Sequence, residues 1–149
     1  MRVRKLPVIV GLLFLVLAVF SWGALRKYQL DESSRETTVQ LLEQALSSSS
    51  ADGLVNQAHA QWLQSMPAES IRSYLNFAFD RLGPLQAMTS ITGESTAGML
   101  PDPGATVDAS YTVNVVMGDV AFDTQVDLRH ENGQWLITNL VLNAPALME

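Results

Sequence analysis

The twenty residues from Leu6 to Leu25 carry no charged side chain, and no other feature narrows the possible folds of this chain as much. As a helix rising about 1.5 Å per residue they reach about 30 Å, the hydrocarbon thickness of a bilayer. Arg2, Arg4 and Lys5 precede the run and Arg26 and Lys27 follow it, with Trp22 and Tyr28 where interfacial aromatics collect. The expectation is one membrane-spanning helix with its N-terminus inside, because basic residues prefer the cytoplasmic side. A cleaved secretory signal is the rival reading, since it too has a basic start and an apolar run. Against it, the run exceeds the usual core of about 7–15 residues, and Ser21-Trp22-Gly23 is a poor cleavage site. Both readings put the rest of the chain in the same non-cytoplasmic compartment.

Beyond the anchor and its flank, about 110 residues remain, enough for one domain and too few for two. Domains of this size fold without covalent staples. The absence of cysteine therefore does not forbid a core, and it excludes disulfides, thiolate metal sites and cysteine nucleophiles. After Lys27 the chain has four arginines and no lysine against fifteen carboxylates, a net charge of −11. So acidic a surface repels phosphate backbones and anionic headgroups, and no nucleic-acid partner is expected.

Ser33-Ser34-Arg35-Glu36 has the S-x-x-E spacing of a capping box, and Val39, Leu42 and Leu46 recur behind it on one helical face. Two readings stay open: a new helix starting here, or one continuing from the membrane. Ser47–Ser50 and Asp52-Gly53 end it. Leu54, Val55, Ala58, Trp62 and Met66 predict a second helix from Asp52 to Ser65. Pro67 closes that helix, and a third carries the stripe Ile71, Tyr74, Leu75, Ala78, Phe79 and Leu82 up to the Gly83-Pro84 stop. Phe77 falls off this stripe, and either packs on the first helix or marks a partner surface. Leu85–Glu94 reads as a first strand, followed by the loop Gly98-Met99-Leu100-Pro101-Asp102-Pro103-Gly104. Val107, Ala109, Tyr111, Val113 and Val115 then alternate with polar residues, as a sheet with one wet face requires. Gly118-Asp119 turns the chain into a third strand from Val120 to His130. Asn132-Gly133 suits a two-residue hairpin, and Trp135 to Leu142 is the last strand. The expected class is α+β: a transmembrane helix, then three helices packed on an antiparallel four-stranded sheet. Its expected divisions are an anchor over 1–28, a juxtamembrane helix and serine-rich linker over 29–53, and an α+β domain over 54–149. In that domain the helices fall within 54–82 and the sheet within 85–143.

The helical block Leu54–Leu82, the long strands Thr106–Val116 and Val120–His130, and the closing hairpin Glu131-Asn132-Gly133-Gln134-Trp135-Leu136-Ile137 resemble the nuclear transport factor 2-like superfamily. The hairpin is similar to the ending common there, a polar residue, Gly, any residue, Trp, any residue, Ile. The resemblance implies a cone, with a strongly curved sheet wrapped around helices. It also implies a bacterial chain in the inner membrane whose domain faces the periplasm. Single-pass members of that kind act as assembly or scaffold subunits in secretion and lipid-transport systems. An envelope protein or a second copy of this chain is then the expected partner.

Some enzymes of that superfamily set a carboxylate or histidine and a tyrosine inside the cone. By that resemblance His59, Trp62, Tyr74 and Tyr111 are the candidate pocket residues, with Asp80 near the third helix's end. Read from the residues alone, Tyr74 and Tyr111 are core residues with the hydroxyl at an edge. His59 and His130 lack a spaced ligand partner, and Asp108, Asp123 and Asp127 fall on the solvent face of the sheet. No hydrolase elbow surrounds Ser47–Ser50, and no glycine-rich phosphate loop is present. Neither cofactor, metal nor catalytic residue is expected. An interaction module is the first functional expectation, and a small-molecule or enzymatic pocket inside the cone is the alternative.

Overall fold

A computed structural model describes residues 5–100 and 104–148. Arg2 and Arg4, and the loop residues Pro101, Asp102 and Pro103, lie outside the described residues. The first element, α1, runs unbroken over Leu6–Ser48, 43 residues. At about 1.5 Å per residue that is about 65 Å of helix, far longer than a domain of this size requires. Its two halves differ in their surroundings. Leu6–Leu25 is almost wholly exposed, with Leu13 at 60% and Phe14 at 68%, and it is long and apolar enough to cross a membrane. In the second half Ser34, Thr38, Leu41, Leu42, Ala45 and Leu46 form a buried stripe at helical spacing.

Of the two readings of Ser33–Glu36, the structure has the continuous helix. The hydroxyls that would cap a new helix bond backward instead. Ser33 donates to the Leu30 carbonyl at 3.2 Å, Ser34 to that of Asp31 at 2.9 Å, and Thr37 and Thr38 to those of Ser33 and Ser34 at 2.8 Å each. Back-bonding of this kind is compatible with a helix interior. The serine run ends α1 as expected, with Ser49 in the left-handed region (φ 52°).

The helix expected over 52–65 is two, α2 (Asp52–Asn56) and α3 (Ala60–Ser65). Between them the backbone pairs with a strand: His59 N–H donates to Ile137 O at 2.7 Å, and Ile137 N–H donates to Gln57 O at 2.8 Å. Two hydrogen bonds to a partner 80 residues away override the local helical period. Helix α4 (Ala68–Leu82) buries Ile71, Leu75, Ala78, Phe79 and Leu82 of the expected stripe, with Tyr74 only partly buried beside them, and Gly83 ends it at φ 81°.

Strands β1 (Leu85–Ser95), β2 (Val107–Met117), β3 (Val120–Glu131) and β4 (Gln134–Asn143) form an open antiparallel sheet in the order β1-β2-β3-β4. Val107, Ala109, Tyr111, Val113, Val115 and Met117 of β2 and Phe122, Thr124, Val126 and Leu128 of β3 point into the core. A bulge where Asp127 and Leu128 meet Asn139 and Ile137 shifts the phase of β4. Trp135 and Ile137 before it and Leu140 and Leu142 after it therefore all reach the same core. That core also takes in Leu41, Leu42, Ala45 and Leu46 of α1, so helix and sheet share one apolar interior.

Candidate functional site

Helix α1 meets the sheet at a polar junction just above its apolar half. Asp31 is its centre: the carboxylate accepts from Ser95 N–H at 2.9 Å and from the Ser95 hydroxyl. Lys27, one turn earlier, lies 3.3 Å from the same carboxylate, 3.6 Å from that of Glu94, and 3.4 Å from the Ser95 carbonyl. Burial alone would raise the Asp31 pKa, but the two hydrogen bonds from Ser95 and the nearby Lys27 outweigh it and hold the carboxyl below the ordinary aspartate range. Two residues one helical turn apart, Lys27 and Asp31, thus fasten the end of β1 to the helix. Tyr111 completes the junction from β2. Its hydroxyl shares a 2.6 Å hydrogen bond with the buried Ser34 hydroxyl, and both lie 2.9 Å from the Asp31 carbonyl. Burial pushes the Tyr111 phenol pKa up, with the Ser34 hydrogen bond working against it.

A cleft of about 420 Å3 lies between α1 and the β3–β4 hairpin. Its walls include Thr37, Gln40, Gln44, Gln57, Gln134 and His130, none with a formal charge, in a domain otherwise crowded with carboxylates. At its base the Trp135 ring NH donates to Ser33 at 2.9 Å, and the His130 ring packs on Trp135 with centroids 4.9 Å apart. Trp62, Phe79 and Trp135, each 6% exposed, belong to the packed interior.

The four candidate pocket residues have separate structural surroundings. His59 caps α3, its Nδ1 accepting from Gln61 N–H at 3.0 Å, while Nε2 pairs with Glu131 on the hairpin. Trp62 is buried in the core. The Tyr74 hydroxyl accepts from Leu142 N–H at 3.2 Å, and Tyr111 sits in the α1 junction. None of the four lines the cleft between α1 and the hairpin. Asp108, Asp123 and Asp127 lie on the outer sheet face, each with a cross-strand donor. Arg129 donates to Asp108 at 2.8 Å, Asn114 to Asp123 at 3.0 Å, and Ser110 to Asp127 at 2.6 Å. Phe77 is 48% exposed, with the Arg81 guanidinium 5.5 Å from its ring centre.

The residues that sequence reading passed over are Lys27, Asp31 and Ser95. Lys27 and Asp31 stand at the i,i+4 spacing of a helical ion pair, a signal that was there to be found. Nothing local marks Ser95 as their partner. No family model, curated protein or solved structure matches the chain.

Proposed function

We propose that this chain is a single-pass protein of the bacterial inner membrane whose α+β domain, on the periplasmic side, is a non-catalytic interaction or scaffold module. The observation that carries this reading is α1: one exposed apolar half, and one half built into the domain's core without a break. Such a helix holds the domain at a set height and angle, which suits a subunit that presents a surface to neighbours. The exposed Phe77 and the strongly acidic domain are consistent with a docking role for a basic or neutral partner. We further propose membership of the nuclear transport factor 2-like superfamily, on the strength of helices ahead of a four-stranded meander that closes on the Gly133–Ile137 hairpin. Crosslinking in intact cells followed by purification in mild detergent tests the role. A defined envelope partner or a homo-oligomer is expected, and a strictly monomeric chain without partners would contradict it.

A second reading, a binder of small neutral polar molecules, is favoured by the uncharged cleft beside α1 rather than by the domain interior, which Trp62, Phe79 and Trp135 occupy. A ligand-dependent rise in melting temperature that Gln44→Leu abolishes would support it. A flat response across neutral polar compounds would count against it.

A further inference from the structure

The loop between β1 and β2 ends its described part in two apolar side chains, Met99 and Leu100, that are 52% and 60% exposed. They do not face open water on all sides. Leu100 sits against Leu15, Val16, Val19 and Phe20 of α1, with an apolar hollow of about 210 Å3 among them. Met99 lies on Gly23, the one buried residue in the apolar half of the helix. A Cβ built at Gly23 would fall 1.5 Å from the Met99 carbonyl oxygen, so only glycine admits the loop at this distance. The root of the same loop is fixed by the grip of Asp31 and Lys27 on Ser95.

Phe20 precedes Lys27 by seven residues, about 10 Å along the helix axis. If Leu6–Leu25 dissolves in lipid, Leu100 lies well below the level of Lys27 and shares that solvent. We propose that Met99 and Leu100 insert into the bilayer leaflet next to the domain, giving the protein a second lipid contact beside the spanning helix. This rests on the membrane-spanning reading of α1. The chemistry of the loop fits. Two exposed apolar side chains gain by leaving water. A lipid-seated loop and the Asp31 junction together stop the domain from swivelling about α1.

The chain contains no cysteine, so single labels are direct. Leu100→Cys, Met99→Cys, Leu13→Cys and Asp119→Cys, each carrying an environment-sensitive fluorophore, are reconstituted as full-length protein into phosphatidylcholine–phosphatidylglycerol vesicles with and without doxyl-labelled lipid. All four positions are exposed, so labels are accommodated without unfolding. Quenching at positions 13, 99 and 100, with none at 119 in the turn at the other end of the sheet, is the expected result. Quenching at 13 without quenching at 99 and 100 overturns the loop insertion and leaves the anchor standing. A blue shift at 100 without lipid quenching assigns the loop to a protein neighbour and overturns it equally. No quenching at any position overturns the spanning helix and the insertion together.

Discussion

Asp31 shows how few atoms decide the geometry between helix and sheet. Its carboxylate satisfies both the N–H and the hydroxyl of Ser95, and replacing it by asparagine keeps the shape while removing the charge that strengthens those bonds. Asp31→Asn is expected to cost about 1 kcal/mol in chemical denaturation of the detergent-solubilised protein. Because the folded-state pKa is lowered, this stabilisation is present above the pH at which an unfolded aspartate ionises. It is lost as pH falls through the lowered folded value. Melting temperatures followed into that acid range should therefore fall less steeply for Asp31→Asn than for the natural chain, and parallel curves would contradict the assignment. Thr124 makes the opposite case. Its hydroxyl is buried and, among the described residues, without a hydrogen-bond partner, a loss that valine avoids. Thr124→Val is expected to raise stability by about 1 kcal/mol, and a fall in the denaturation midpoint would show that the hydroxyl has a use.

At the scale of elements, the legible parts of the fold were those whose cause lies nearby in sequence. Helix α4 follows from its own apolar stripe and the Gly83-Pro84 stop. The β3–β4 hairpin follows from Asn132 and Gly133, which adopt φ 53° and 76° as a tight hairpin turn needs. The strands β2 and β3 follow from strict alternation. What could not be read locally was decided by distant partners. The break at 57–59 exists because Ile137 offers a donor and an acceptor to the backbone there. Of the two readings open at Ser33, the continuous helix holds: the Ser33 hydroxyl bonds back to Leu30 and accepts from Trp135, 102 residues on. The same reason hid the junction, since Ser95 and Tyr111 gain their meaning only when α1 lies beside them. The four pocket residues were chosen by chemistry type, and the structure employs His59, Tyr74 and Tyr111 as caps and clamps. His59→Ala removes the acceptor for Gln61 N–H and the contact with Glu131. It is expected to cost about 1 kcal/mol, typical of a lost N-cap, with faster amide exchange over 60–65 and little change in α4. Equal protection loss across both helices would argue against a local capping role.

For the whole molecule, one helix of 43 residues is both the apolar segment and a wall of the domain's core. Loosening the second half of α1 from the sheet should therefore be felt throughout the domain, and the domain's orientation should follow the tilt of the helix. The acidic charge collected after Lys27 would favour the basic or neutral partner proposed above over an anionic one. Everything built on this, including the proposed role and the seat of the Met99–Leu100 loop, requires that α1 cross a bilayer and carry the domain to the far side. The direct measurement is the reaction of Asp119→Cys, exposed in the β2–β3 turn, with a membrane-impermeant maleimide on spheroplasts whose inner membrane is intact. Full labelling before any permeabilisation is the predicted result. Labelling that appears only once the inner membrane is opened would contradict the account.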